Sequence, residues 1–108
     1  MTYVECTSMV DTLAPNCVPL DVKRRWLGEL EGRVMIELEG VSPSALSTPE
    51  EDSEMPYLSA PYPFDRMYWL YIMAMLDYVN GDSARYANSA ALFNTAYQAY
   101  AKWRMRER

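Results

Sequence analysis

The chain is organised around Met67-Tyr68-Trp69-Leu70-Tyr71-Ile72-Met73-Ala74-Met75-Leu76, a run of ten apolar or aromatic residues without a charge. A helix that is apolar on every side offers no face to water, so other parts of the protein must surround it. The run is too short to cross a bilayer, which takes about 20 such residues. Asn80-Gly81 is typical of a helix end, because glycine adopts the left-handed conformation there without strain. We therefore predict a central helix over residues 64–80.

A longer helix is predicted after this turn, over residues 83–105, because Asp82 or Ser83 can cap its free N–H groups. Its predicted core stripe recurs at three- and four-residue steps and consists of Tyr86, Ala90, Phe93, Tyr97 and Tyr100. Its other faces also carry small or apolar residues, namely Ala84, Ala87, Ala91, Leu92, Ala96, Ala99 and Trp103. A small domain with this much surplus apolar surface is expected to hide part of it against another chain.

Two further helices are predicted before this pair. In the first, over residues 2–13, Thr2 and Glu5 fit a capping box, in which each side chain satisfies a free N–H of the first turn. Its apolar face is predicted to consist of Cys6, Met9, Val10 and Leu13. Pro15 ends the helix, because the residue before a proline avoids helical geometry.

The second helix is predicted over residues 21–39, with Asp21 as its cap. The side chains predicted to face the core are Val22, Trp26, Leu27, Leu30, Val34 and Leu38. The charged residues are predicted to form a solvated face with pairs four residues apart, and they are Lys23, Arg24, Arg25, Glu29, Glu31, Arg33, Glu37 and Glu39. Gly28 and Gly32 either let another helix approach closely or are simply tolerated in a packed helix.

Residues 40–63 lack helical or strand periodicity and contain five of the seven prolines. A loop of this length is unusual inside a compact domain. Two interpretations are open: a solvated linker, or an extended arm that lies on a partner with little entropy left to lose. In the arm interpretation the candidate partner-binding residues are Met55, Tyr57, Leu58 and Tyr62. The predicted fold is all-α, a single four-helix domain over residues 1–108 with this Pro-rich loop between its second and third helices.

The composition limits the classes of function. Fifteen acidic against ten basic residues give a formal net charge of −5, which disfavours a protein that coats nucleic acid. The absence of histidine excludes histidine-based catalytic triads and histidine-ligated metal sites. Cys6 and Cys17 match no metal or redox spacing, so reduced thiols are expected. With no phosphate-binding loop, nucleophile motif, signal peptide or membrane span in the pattern, we predict no catalytic residue, metal or cofactor and no enzyme.

The last seven residues hold four cations, Lys102, Arg104, Arg106 and Arg108. Cations near a helix C-terminus complement the helix dipole, and in one interpretation these four residues have no other role. In the other interpretation, this segment docks on an acidic surface of a partner and Trp103 is its buried anchor. The candidate partner-binding residues are therefore these four cations and Trp103, together with the four loop residues named above.

Several short stretches resemble small proteins of tailed-phage structural modules. They are Arg25-Trp26-Leu27-Gly28-Glu29-Leu30-Glu31-Gly32, Asp77-Tyr78-Val79-Asn80-Gly81-Asp82, Arg85-Tyr86-Ala87-Asn88-Ser89 and Leu92-Phe93-Asn94. The layout of the chain resembles the head–tail connector proteins, also called adaptor or head completion proteins, whose short helical subunits form a ring beneath the portal. The likeness covers most of the chain and is weakest over the Pro-rich loop.

The resemblance implies a bacteriophage virion structural protein that forms a homo-oligomeric, twelve-fold ring. Such a ring docks on the portal protein through its C-terminal segment, contacts a downstream tail or stopper protein, and lets DNA pass through its channel without specific binding. It implies assembly in the host bacterial cytoplasm and residence in the virion. The alternative, from a different class, is a small phage-encoded regulator or inhibitor that binds a host protein through its aromatic helices.

Overall fold

The computed structural model describes residues 1–45 and 58–107. Within them the chain forms four α-helices and no β-strand: α1 (Tyr3–Leu13), α2 (Leu20–Glu37), α3 (Arg66–Val79) and α4 (Ser83–Glu107). A short 3₁₀ turn, Pro43–Ala45, lies in the predicted loop, and residues 46–57 of that loop fall outside the described part of the chain. The predicted all-α fold is confirmed, and each helix lies within two residues of its predicted bounds.

The helix ends follow from local hydrogen bonding. Thr2 Oγ1 accepts the Glu5 N–H at 3.1 Å, and Asp82 Oδ1 accepts the Arg85 N–H at 3.0 Å, so Thr2 and Asp82 are confirmed as caps. Gly81 has a φ of 73°, which confirms the left-handed turn between α3 and α4. The cap predicted at Asp21 is wrong, because α2 already begins at Leu20, after a proline whose fixed φ suits a helix start.

Helix α3 lies at the centre of the fold. It packs most extensively against α4 and also contacts α1 and α2. Six of its side chains are buried, namely Met67, Tyr68, Leu70, Ile72, Ala74 and Leu76. Trp69, Tyr71, Met73 and Met75 are half-buried and pack against the same core. The prediction that other parts of the protein surround this apolar helix is confirmed.

The buried face of α1 differs from the predicted one. Cys6 and Val10 are fully buried, but Met9 and Leu13 are 37% and 56% exposed, and the remaining buried positions are Tyr3 and Thr7. Thr7 is tolerated in the core because its hydroxyl donates to the Tyr3 carbonyl oxygen at 3.0 Å. The helix therefore turns its Tyr3–Thr7 side inward and leaves Met9 and Leu13 on the surface.

The predicted core stripe of α2 is confirmed, since Trp26, Leu27, Leu30, Val34 and Leu38 are buried and Val22 packs against the core. The solvated charged face is only partly correct. Ion pairs four residues apart join Arg25 to Glu29 and Arg33 to Glu37.

Lys23 departs furthest from the predicted solvated face, because it is 3% exposed. Its Nζ donates to Asp11 Oδ1 at 2.6 Å and to Asn16 Oδ1 at 3.3 Å. A buried ammonium needs such partners, and both come from α1 and the connection that follows it. Lys23 therefore ties the start of α2 to the end of α1.

The core stripe of α4 is confirmed at Phe93, Tyr97 and Tyr100, which are buried. Its predicted first member is wrong, because Tyr86 is 38% exposed. Tyr86 lies beside the α3–α4 turn and contacts the ring of Tyr78, which is itself 64% exposed, with centroids 5.6 Å apart. Every residue from Ser83 to Asn88 is exposed, so the first turns of α4 extend beyond the core.

The chain leading into α3 is held by three consecutive backbone N–H groups. Leu58 N–H donates to the Met1 carbonyl oxygen at 2.9 Å, Ser59 N–H to Glu31 Oε2 at 2.7 Å, and Ala60 N–H to Tyr68 Oη at 3.0 Å. Burial raises the pKa of Glu31, and the hydrogen bonds from Ser59 and Tyr68 oppose that rise. No helix in the described residues is long and apolar enough to span a membrane.

Candidate interaction surface

The C-terminal end of α4 is fixed by an aromatic cluster. The half-buried ring of Trp103 lies 5.1 Å from that of Phe64 and 6.1 Å from that of Tyr100, between centroids. Phe64 also contacts Tyr100 at 5.8 Å. Trp103, the predicted anchor for a partner, therefore already packs within its own chain, and only its remaining exposed part is open to a second molecule.

Arg104 is held by a two-pronged ion pair. Its Nε and Nη2 donate to Glu39 Oε1 and Oε2 at 2.6 and 2.8 Å. This fork-to-carboxylate geometry fixes orientation better than a single contact does. The hydrogen bond to Glu39 raises the pKa of Arg104 above its ordinary value. The pair joins the last turns of α4 to Glu39, two residues beyond the end of α2, so Arg104 stabilises the fold.

The other candidate residues are distributed over different parts of the molecule. Lys102 and Arg106 are exposed on α4, and Tyr62, at 87% exposed, is the most exposed large hydrophobic side chain in the described residues. Leu58 is 5% exposed and packs in the core, so its side chain does not face a partner. Met55, Tyr57 and Arg108 lie outside the described residues. The structure brings Trp103 and Arg104 together with Phe64 and Glu39, which the sequence did not single out for that role.

The outer face of α4 is uncharged over more than four turns. From Tyr86 to Ala101 the sequence contains no Asp, Glu, Lys or Arg, although many of these side chains point to solvent. The exposed ones are Tyr86, Ala87, Asn88, Ala91, Leu92, Asn94, Thr95, Gln98 and Ala99. Leu92 is 52% exposed, and a shallow depression near the helix start is lined by Ala84, Ala87 and Ala91 with Arg85 and Asn88.

An exposed helix without charges is unusual in a soluble domain, whose outward helical faces normally carry them. Depletion of charged residues is instead characteristic of the buried centre of protein interfaces. The sequence reasoning identified the alanine row here but not the unbroken absence of charge. That signal was present, since it needs only the positions of Arg85 and Lys102.

The α3–α4 turn extends this surface. Tyr78 and Val79 are 64% and 56% exposed, and Tyr86 lies against Tyr78. Asp77 Oδ2 accepts a hydrogen bond from the Ser89 hydroxyl at 2.6 Å, while Arg85 lies 3.6 Å from Asp82. The hydrogen bond of Asp77 fixes the first turns of α4 against α3.

The two thiols differ in environment. Cys6 is fully buried, and burial raises the pKa of its thiol to about 12, so it behaves as a small core residue. Cys17 is exposed in the connection between α1 and α2. Within residues 1–45 and 58–107, no three His, Cys, Asp or Glu side chains are grouped so that they could hold a metal ion.

Comparisons with protein-family models, with curated proteins and with solved structures found no match to this chain.

Proposed function

We propose that this chain is a structural subunit of a phage head–tail connector, a homo-oligomeric ring that docks on the portal and continues the DNA channel. The observation that carries the proposal is the uncharged outer face of α4, from Tyr86 to Ala101, next to the exposed aromatic residues of the α3–α4 turn. A protein that works alone gains nothing from such a face, whereas a subunit of an assembly buries it.

The aromatic residues at the turn support an interface in particular. Tyr, Trp and Arg are the residues that most often dominate the free energy of protein association. Tyr78 and Tyr86 contact each other at 5.6 Å, and Arg85 beside them is 79% exposed in its side chain. Their arrangement on one rigid helical hairpin requires little reordering when a second molecule binds.

The proposed partners are further copies of the chain, the portal protein, and a downstream tail or stopper protein. Among the described residues of the C-terminal segment, Lys102 and Arg106 are the exposed cations, since Arg104 pairs with Glu39, and Arg106 is the one assigned to portal docking. DNA would pass through the ring without specific binding, because the net charge of −5 repels phosphates. The proposed location is the virion, after assembly in the host bacterial cytoplasm.

The direct test is co-expression with the portal protein encoded by the same phage or prophage, followed by affinity purification and electron microscopy. We expect portal particles that carry a ring of this chain. A chain ending at Arg104 keeps Trp103 and the Glu39 ion pair, so it should fold with normal helicity. Portal binding by this truncated chain should fall at least tenfold if the basic tail docks there.

Arg25→Glu is the matched charge control, because Arg25 is 71% exposed in its side chain and lies on α2. It should leave portal binding unchanged. Full portal binding by the truncated chain would move the docking surface away from the tail. If the full-length chain neither binds the portal nor forms rings, the connector proposal fails. Specific capture of one host protein instead would favour the regulator or inhibitor.

A further inference from the structure

The exposed large apolar side chains fall mainly into two groups. One lies on α3 and α4 and consists of Tyr78, Val79, Tyr86, Leu92 and Met105. The other lies on α1 and at the start of α2 and consists of Val4, Met9, Leu13 and Leu20. Both α1 and α4 pack on α3, without an extensive contact between them. The chain therefore presents two separate apolar surfaces.

A ring requires two different surfaces on each subunit, because one face of a copy meets the other face of the next copy. A single self-complementary patch would instead give a closed two-fold dimer, to which no further copy can bind through that patch. If the chain forms the proposed ring, its two apolar surfaces are the natural pair, and the partner for α4 is α1 of a second copy.

The shapes of the two surfaces are compatible. Glu5, Met9 and Leu13 recur every four residues and form one stripe along the exposed side of α1. The outward side of α4 at Ala91, Thr95 and Ala99 carries small side chains that leave room for Met and Leu. From Glu5 to Leu13 the stripe is about 12 Å long, which half of the uncharged face of α4 can accommodate.

The charges favour one relative direction of the two helices. The uncharged face of α4 has a cation at each end, Arg85 and Lys102, but Arg85 already lies 3.6 Å from Asp82, whereas Lys102 has no ion pair within the described residues. An antiparallel arrangement places the acidic Glu5 opposite Lys102, and Leu13 then lies eight residues away along α4, between Leu92 and Thr95. Antiparallel helix dipoles also attract one another.

We propose that the stripe Glu5–Met9–Leu13 of one copy packs antiparallel on the outer face of α4 of the next copy, with Glu5 beside Lys102. This inference rests on the proposed ring, and it assigns the two subunit surfaces within it. It also explains why Met9 and Leu13, which the helical period allows in the core, are exposed instead.

Cysteine cross-linking between two differently labelled chains tests the contact. Both chains carry Cys17→Ser, since Cys17 is exposed and would react. One carries Met9→Cys and the other Ala99→Cys, and they are oxidised together at millimolar concentration and again on portal particles. We expect a heterodimer from the mixture and at least tenfold less dimer from either chain alone. Val4→Cys replaces Met9→Cys in the control, because Val4 is 49% exposed but lies away from the stripe.

Charge reversal gives a second, independent readout. Glu5→Lys should reduce the cross-linked fraction several-fold, and Glu5→Lys combined with Lys102→Glu should restore it, with helicity checked in every variant. Equal cross-linking at Val4 and Met9, or none in either setting, would overturn the inference. Rings on the portal without this cross-link would reject the interface alone. The cross-link in purified chain, without any portal binding, would keep the interface and reject the connector.

Discussion

The hydroxyl of Tyr68 links the chain before α3 to the core, and its removal is the sharpest test of the fold. Tyr68 is fully buried; its Oη accepts the Ala60 N–H at 3.0 Å and donates to Glu31 Oε1 at 3.2 Å. Ala60 is 1% exposed, so water cannot replace the lost acceptor. In Tyr68→Phe the Ala60 N–H is left buried without that partner.

The expected magnitude follows from this geometry. An unsatisfied buried donor costs about 1–3 kcal/mol, and the phenylalanine ring keeps the packing of the tyrosine ring. We expect the free energy of unfolding to fall by about 2 kcal/mol, and the Tm to fall by roughly 8–16 °C on the scale typical of domains of 60–100 residues. Urea titration followed by circular dichroism measures the first quantity, and thermal unfolding measures the second.

Tyr62→Phe is the matched control, because Tyr62 is 87% exposed and should change the stability by less than about 0.5 kcal/mol. Glu31→Gln, alone and with Tyr68→Phe, completes a double-mutant cycle, in which the two effects should not add. A loss in Tyr68→Phe no larger than that in the control would show that this hydroxyl does not hold residues 58–60.

Three further predictions follow from the described contacts. The hydrogen bond from Lys23 lowers the pKa of Asp11, so this stabilisation is present above the unfolded pKa and lost as the pH falls through the folded one. In Lys23→Met the free energy of unfolding should therefore fall less steeply below about pH 4. An unchanged dependence on pH in that range would contradict the role given to the Lys23–Asp11 pair. A thiol reagent should label Cys17 at once and Cys6 only after unfolding, because Cys6 is buried and its pKa is about 12; rapid labelling of two thiols in native protein would show otherwise. The purified chain should not bind duplex DNA with sub-micromolar affinity at physiological salt, given its charge of −5, and tight, salt-sensitive binding in a gel-shift assay would indicate a DNA-binding module instead.

The helices were predictable because each carries its signals locally. Thr2, Asp82 and Gly81 mark helix ends through bonds or dihedral angles that span only a few residues. The uncharged run at residues 67–76 likewise identified the central helix without any tertiary information. Such features depend on the nearest turn, so sequence alone was sufficient for them.

The predictions were wrong where contacts with distant residues determine which side chains are buried. On α1 the helical period fits more than one phase. Tyr3 and Thr7 are buried and Met9 and Leu13 are exposed, which the hydrogen bond of the Thr7 hydroxyl within the helix makes possible. Lys23 was assigned to solvent because its partner Asp11 is twelve residues away.

The same limit applied to the C-terminal segment. Arg104 was identified as a candidate for binding a partner, but Glu39, which lies 65 residues earlier, pairs with it in the fold. No periodicity of the sequence reports contacts across such separations.

The central position of α3 has a consequence for the synthesis of the chain. Helices α1 and α2 leave the ribosome first, yet residues such as Leu27 and Leu30 are buried in a core that α3 and α4 complete. Until Arg66–Val79 has been made, these side chains lack their main cover, and the chain gains little from burying them. We expect a ribosome-bound chain stopped after residue 65 to be cleaved rapidly by a protease that spares the released protein. Folding of these four helices would then be completed only after α3 and α4 have followed α1 and α2 out of the ribosome.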